Sequence, residues 1–103
     1  MKLKEITKVT EMDELDGRFK LLLITAELCG QCAEMEPVVA KIANDHGFAA
    51  RKMDGPSNMD FMKELHVMSV PVLVYFVDGK WVARDLGVKQ RQLITSKAAY
   101  LLA

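Results

Sequence analysis

The stretch LLLITAELCGQCAEMEPVV, residues 21–39, decides how the rest of the chain is interpreted. It begins with an apolar run at residues 21–24, which is typical of a buried strand. It then passes Cys29 and Cys32, the only two cysteines of the chain, and continues into a segment that favours a helix. Because two residues separate the cysteines, one helical turn can bring their sulfurs together. The sequence therefore predicts a dithiol at a strand-to-helix junction.

The position of the cysteines at the start of a helix indicates how they would react. The first turn of a helix carries unpaired N–H groups and the positive end of the peptide dipoles. Both favour a thiolate, so the pKa of Cys29 should be depressed. We expect Cys29 to be the exposed nucleophile and Cys32, one turn further on, to be the more shielded resolving thiol.

Length, charge and cysteine usage narrow the class of protein. The 103 residues are enough for one domain with its own core, and we expect residues 1–103 to form that single domain. A formal net charge of +0 removes the general electrostatic argument for nucleic acid or an anionic membrane as a partner. Residues 1–20 contain no apolar segment typical of an export signal, and no apolar run could cross a bilayer. We therefore expect a cytoplasmic protein, whose disulfide would be transient and catalytic.

Hydrophobic periodicity and turn residues predict alternating strands and helices. The expected strands are residues 3–7, 20–26, 48–53, 71–77 and 80–86. The expected helices are residues 10–17 with Thr10 as N-cap, 30–45, 57–66 and 89–102. Core positions are expected on the last two helices at Met59, Met62, Leu65, Leu93, Ile94, Ala98, Leu101 and Leu102. The order β-α-β-α-β-α-β-β-α predicts an α/β fold, a mixed central sheet with helices on both faces.

Five features resemble thioredoxins, and together they cover nearly the whole chain. The pattern A-E-x-C-G-x-C at residues 26–32 is similar to the thioredoxin active-site segment. The other features are prolines and glycines at the spacings of that family: Pro37, Val70-Pro71, Gly79 and Gly87. The resemblance implies the thioredoxin fold and the activity of a protein-disulfide oxidoreductase.

Thiol–disulfide exchange without a bound cofactor is the chemistry that the resemblance implies. Cys29 would attack a substrate disulfide, and Cys32 would then release the reduced product. The implied partners are protein disulfides and a reductase or other thiol electron donor, and we expect a monomer. The family match also implies a cis bond before the second proline and a flat apolar substrate surface, formed by Leu28, Gly30, Gln31, Val70, Pro71 and Gly87 with Met68 at its edge.

Four positions depart from the thioredoxin pattern. Leu28 and Thr25 stand where the family usually has tryptophans, and Gln31 replaces the proline between the cysteines. Leu23 occupies the place of a buried aspartate, which in the family accepts the proton of the resolving thiol. Water or a nearby group would have to take that proton here. By family analogy, the change at Gln31 implies a more oxidising disulfide.

Glutamates flank the dithiol in the sequence. Glu27, Glu34 and Glu36 surround it, and residues 21–40 contain no Lys or Arg. Like charges near a thiolate oppose the effect of the helix terminus, although solvent and salt screen them. One interpretation is that Cys29 has a higher pKa than a typical thioredoxin nucleophile and that partners present a basic rim. The other is a solvated acidic face without effect.

Two further functions are compatible with the residues. A thioredoxin-like fold can serve as a docking module whose cysteines are incidental. Such a module would show no turnover that depends on the two cysteines when insulin is reduced by dithiothreitol. A metal site would need two more ligands, because Cys29 and Cys32 supply half of a tetrahedral zinc shell. His46 and His66 have no ligand spacing to the cysteines, so we predict no metal.

Overall fold

A five-stranded mixed sheet forms the centre of the computed structural model, which describes residues 1–103. The strands are β1 (Glu5–Ile6), β2 (Phe19–Thr25), β3 (Ala49–Asp54), β4 (Val72–Val77) and β5 (Lys80–Leu86), and they lie in the order β1-β3-β2-β4-β5. β3 is parallel to β1 and β2, whereas β4 is antiparallel to β2 and β5. The helices are α1 (Gly30–His46), α2 (Met59–Glu64) and α3 (Arg91–Leu102), with 3₁₀ helices at Val9–Glu14 and Pro56–Asn58. The predicted α/β fold is confirmed.

Each face of the sheet buries its own core. Successive residues of a strand point to opposite faces. Leu21 and Leu23 of β2 therefore pack on one face with Met35 and Ile42 of α1 and Ile94 of α3. The alternate residues of β2 pack on the other face with α2 and the first 3₁₀ helix. Because both faces are covered, the central strand is a continuous apolar run.

A polar cluster links β4 and β5 to α3. Tyr75 has no exposed surface, and its hydroxyl donates a hydrogen bond to Asp85 Oδ2 at 2.7 Å. Lys97 Nζ donates to Asp85 Oδ1 at 2.7 Å and lies 5.1 Å from the centroid of the tyrosine ring. Burial, with the hydrogen bond and negative charge of Asp85, raises the pKa of Tyr75, so the hydroxyl stays protonated. The cluster satisfies every buried polar atom it contains.

The first predicted helix is a 3₁₀ helix, and the expectation that Thr10 caps it is wrong. Glu11 accepts hydrogen bonds from the N–H groups of Thr7 and Lys8 at 2.8 and 2.9 Å. This carboxylate holds the start of the segment, so the helix begins at Val9 and ends at Glu14. No helix of the structure is both long enough and apolar enough to span a bilayer.

Two residues predicted to be buried are exposed, Met59 and Leu93. A 3₁₀ turn precedes α2, so Met59 is its first residue and faces solvent, while Phe61 takes the core position. In α3 the buried positions are Ile94 and Ala98, which lie one turn apart on one face. Leu93 precedes Ile94 by one residue and so points away from this face, with 60% of its surface exposed. The last two predicted core residues of α3 are partly buried.

Candidate active site

The junction between β2 and α1 presents the two cysteines. β2 ends at Thr25 and α1 begins at Gly30, so residues 26–29 form the connecting turn. Leu28 has a φ of 56°, a region that non-glycine residues rarely adopt, and its side chain is fully exposed. Cys29 is the N-cap residue of α1 and Cys32 lies in its first turn. The structure therefore brings both sulfurs to the positive end of a helix.

Cys29 and Cys32 are joined by a disulfide, with Cα atoms 5.2 Å apart. Cys29 is partly exposed, whereas Cys32 retains only 4% of its surface. The backbone N–H of Cys32 donates a hydrogen bond to Cys29 Sγ at 3.1 Å. The same donor would stabilise a Cys29 thiolate after reduction, because hydrogen bonds to the charged form favour it. Reduction thus gives an accessible, stabilised first thiol and a shielded second thiol.

The loop before β4 lies at the same end of the sheet as the cysteines, where β2 ends and β4 begins. Ile24, near the end of β2, pairs with Val72, the first residue of β4. Since these strands are antiparallel, the chain leaving β2 and the chain entering β4 lie side by side. The Val70–Pro71 bond is cis, as the resemblance implies, and Pro71 O accepts a hydrogen bond from the N–H of Gly87 at 2.9 Å. The predicted residues Val70, Pro71 and Gly87 are therefore held together at this end of the sheet.

The other predicted substrate residues lie on the turn before α1, on the first turn of α1 and before the cis bond. Leu28 and Gly30 line a pocket with both cysteines. Gln31 is exposed on the first turn of α1. Met68 is also almost fully exposed, two residues before the cis bond. Leu28 therefore presents a large apolar side chain to solvent beside the disulfide.

The pocket beside the disulfide, about 510 Å³ in volume, contains one ion pair. Glu36 contributes from α1, four residues after Cys32, and Lys52 contributes from β3. Lys52 Nζ lies 3.2 Å from Glu36 Oε1 and 3.1 Å from Oε2. The sequence predicts Glu36 to be one of three glutamates that flank the dithiol. It does not predict Lys52 there, because no local signal indicates that a residue of β3 faces the cysteines. The pairing of β2 with β3 brings Lys52 to this pocket.

Glu36 is held as a carboxylate by its neighbours. Burial opposes its ionisation, but the N–H of Leu3, which donates at 2.7 Å, and the Lys52 ammonium outweigh burial. The pKa of Glu36 is therefore lowered. Of the three glutamates considered in the sequence, Glu27 and Glu34 are exposed, while Glu36 is neutralised by its partner. The acidic rim thus consists of two residues.

Metal ligands do not gather around the cysteines. The structure contains no group of three or more His, Cys, Asp or Glu side chains that could hold a metal ion. His46 is exposed in the last turn of α1, with its ring stacked on Phe48 at a centroid distance of 5.5 Å. This is a packing role at a helix terminus.

The thioredoxin family model matches residues 6–99. The chain belongs to the thioredoxin family. A thioredoxin from Staphylococcus epidermidis is 32% identical over 92 residues, which cover 84% of this chain and 88% of that protein. Among solved structures, a mutant thioredoxin from Halobacterium salinarum NRC-1 has a TM-score of 0.82 at 28% identity, over 93% of this chain and 87% of its own. A thioredoxin from Trypanosoma brucei brucei has a TM-score of 0.78 at 18% identity, over 97% of this chain and 90% of its own, which shows the fold alone.

Family membership and the cysteine pair together establish the class of activity. The thioredoxin-family chain is a protein-disulfide oxidoreductase, with a redox-active disulfide at the start of α1.

Proposed function

We propose that this thioredoxin-family protein exchanges electrons with protein disulfides through its C-G-Q-C pair, with Cys29 as nucleophile and Cys32 as resolving thiol. The observation that carries the proposal is the asymmetry of the pair, since Cys29 is partly exposed at the helix N-terminus and Cys32 is 4% exposed beneath it. In the reducing direction, the Cys29 thiolate attacks a substrate disulfide, a mixed disulfide forms and one substrate sulfur leaves as a thiol. Cys32 then attacks Cys29 Sγ, the protein disulfide forms and the second substrate thiol leaves. A reductase or another thiol donor returns the two electrons.

The substrate surface is proposed to be the apolar rim of the disulfide. Fully exposed Leu28 and almost fully exposed Met68 favour contact with a protein partner rather than a small molecule. A Cβ built on Gly30 would meet no atom within 4 Å, so a partner's backbone has open space in front of the first helical turn. By family analogy, Val70 would pair its backbone with an extended segment of the partner. Gln31, Pro71 and Gly87 would complete the contact.

Partners are proposed to carry basic residues around the disulfide that is reduced. Glu27 and Glu34 are exposed beside the apolar rim, and residues 21–40 contain no basic side chain to offset them. Complementary charge across an interface raises the rate of encounter and disfavours partners of like charge. The rate of reduction of a basic partner should therefore fall as salt is added.

Residues 1–103 are proposed to act as one monomeric domain in the cytoplasm. Support for one domain comes from the larger core, which draws on residues from Leu3 to Ala98. A reducing compartment suits a disulfide that is repeatedly opened. Sedimentation of the purified chain would test the monomer directly.

Reduction of insulin by dithiothreitol, followed by turbidity, tests the proposed function. The wild-type chain should accelerate precipitation, and Cys29→Ser should remove the acceleration. Cys32→Ser keeps the nucleophile and serves as the matched control, since it should form mixed disulfides without turnover. A wild-type rate equal to that of Cys29→Ser would contradict the proposal.

A further inference from the structure

The resolving step requires a proton to leave Cys32, and β2 offers no acid to receive it. Leu23, at the position where the family has an aspartate, is apolar and has no exposed surface. In the parallel register of β2 and β3, Leu23 lies opposite Lys52. Residues paired in register point to the same face of a sheet. Lys52 therefore lies on the α1 side of the sheet, as its ion pair with Glu36 requires.

The ion pair adjoins Cys32. Glu36 follows Cys32 by four residues on α1, and side chains at this spacing are neighbours, with Cβ atoms about 5–6 Å apart. Apart from the cysteines, Glu36 and Lys52 are the only ionisable residues that line the pocket. Both side chains are shielded, with exposures of 14% for Glu36 and 23% for Lys52. Charges at this range act more strongly when partly buried than in bulk water.

Other charged groups near the pocket do not replace this pair. Glu5, Glu27 and Asp54 line an adjoining cleft, and Lys52 lines that cleft as well. No second Lys or Arg lines either space. From the segment before β4, the residues at the same end of the sheet are Val70 and Pro71, which do not ionise. Lys52 is thus the one cation that lines the pocket, and Glu36 fixes its position. Lys2 also lies close enough to act on the charge of Glu36.

We propose that the two charges of the Glu36–Lys52 ion pair act on Cys32 in opposite directions, Lys52 favouring its thiolate and Glu36 opposing it, and that both are positioning residues for the resolving step. The inference rests on the proposed function. Glu36 also holds the Lys52 ammonium at the pocket. Because its oxygens already accept hydrogen bonds from Leu3 and Lys52, Glu36 stays ionised and does not store the proton.

The step balances without a further reactant. The proton of Cys32 passes to solvent through the open pocket. The Cys32 thiolate then attacks Cys29 Sγ, so that the bond between the two cysteines forms and the bond from Cys29 to the substrate breaks. The substrate sulfur leaves with the electron pair and takes up a proton. The substrate disulfide has then gained two electrons, and the protein dithiol has lost them.

Single substitutions should move the pKa of Cys32 in opposite directions. The measurement uses the Cys29→Ser background, in which Cys32 is the only thiol and its thiolate absorbance can be titrated. Glu36→Gln leaves Lys52 unopposed and should lower the pKa of Cys32 by about one, whereas Lys52→Met should raise it by about one. In the double variant, the pKa of Cys32 should return close to the value of the Cys29→Ser parent. Lys52→Arg keeps the positive charge, so its pKa of Cys32 should equal that of the same parent.

Control variants separate charge from structure. Lys41→Met removes a cation from α1, the helix that carries Cys32, where Lys41 pairs with Asp45. This control should leave the pKa of Cys32 unchanged. A purely structural role would move the pKa in the same direction for both single variants, because loss of packing does not change sign. If Lys52→Met does not fold, Lys52→Gln provides the same loss of charge with a polar side chain. Shifts of equal sign, or no shift in either variant, would overturn the inference.

Kinetics link the ionisation to the resolving step. With both cysteines present, release of a preformed Cys29 mixed disulfide near neutral pH should slow about tenfold in Lys52→Met and accelerate in Glu36→Gln, following the fraction of Cys32 thiolate. The titration needs no substrate, so it reports on the ion pair even if insulin reduction fails. Opposite shifts in the pKa of Cys32, together with no insulin reduction by the wild-type chain, would refute the proposed function and leave the role of the ion pair standing. Turnover with unshifted pKa values would refute the ion-pair role alone.

Discussion

Replacement of Glu36 by glutamine should lower the free energy of unfolding of the oxidised protein by about 2 kcal/mol near neutral pH. The carboxylate joins three parts of the chain, since it lies on α1 and accepts hydrogen bonds from the N–H of Leu3 and from Lys52 on β3. Hydrogen bonds to charged groups contribute about 1.5–3 kcal/mol each when shielded. The amide oxygen of glutamine can still accept from Leu3, so the loss should be smaller than two such bonds. In a domain of this size, about 2 kcal/mol corresponds to a fall in Tm of about 10 °C.

The effect of this substitution should depend on pH. The pKa of Glu36 is lower in the folded state than the ordinary value of a glutamate, because the hydrogen bonds and the Lys52 charge outweigh burial. A depressed carboxyl pKa contributes stability that is fully present above the unfolded-state pKa and is lost as the pH falls through the folded-state pKa. The difference between wild type and Glu36→Gln should therefore be largest near neutral pH and shrink in acid.

Urea unfolding at neutral and acidic pH measures both effects, with the disulfide kept oxidised. Glu34→Gln is the matched control, because Glu34 lies two residues earlier on the same helix and is exposed. It should change the free energy of unfolding by less than about 0.5 kcal/mol. Equal stabilities for the two variants, or a difference that grows in acid, would refute the reasoning.

Three further substitutions test separate parts of the structure. Tyr75→Phe removes the buried hydroxyl described above and should cost about 1–2 kcal/mol in thermal unfolding, whereas Tyr100→Phe, at an exposed position, should cost nothing measurable; equal Tm values would count against the cluster. Glu34→Lys should lower the pKa of Cys29 and speed its alkylation by iodoacetamide, and an unchanged rate with unchanged salt dependence would mean that the acidic rim is only a solvated face. Leu28→Ser should leave the free energy of unfolding within about 0.5 kcal/mol of wild type but reduce kcat/KM for insulin several-fold, and an undiminished kcat/KM would exclude Leu28 from the substrate surface.

The parts of the fold that local sequence patterns determine are predicted to within one residue, as for β2, β5 and α1. Gly47 ends α1 with a φ of 71°, which glycine adopts without steric cost. Asp78 and Gly79 form the hairpin turn with φ values of 52° and 84°, as this type of turn requires. The inward faces of α2 and α3 are predicted less well, because burial of Met59 or Leu93 depends on where each helix begins and docks.

Part of the candidate site could also be predicted from the sequence, and part could not. The cysteine pair and its place at a helix start follow from local spacing, and the cis bond at Pro71 follows from the resemblance and not from propensity. The ion pair beside the disulfide could not be predicted, because the approach of Lys52 to Glu36 depends on the register of β3 against β2. Because Lys52 offsets the charge of Glu36, the site carries less negative charge than the three glutamates alone predict.

Trapping of a mixed disulfide with Cys32→Ser, followed by mass spectrometry, tests the exchange chemistry most directly. We expect a one-to-one covalent adduct with a disulfide-containing peptide, linked through Cys29 and released by added thiol, while wild-type protein accumulates none. The absence of an adduct, or an equal yield from Cys29→Ser, would contradict the assignment of Cys29 as the nucleophile.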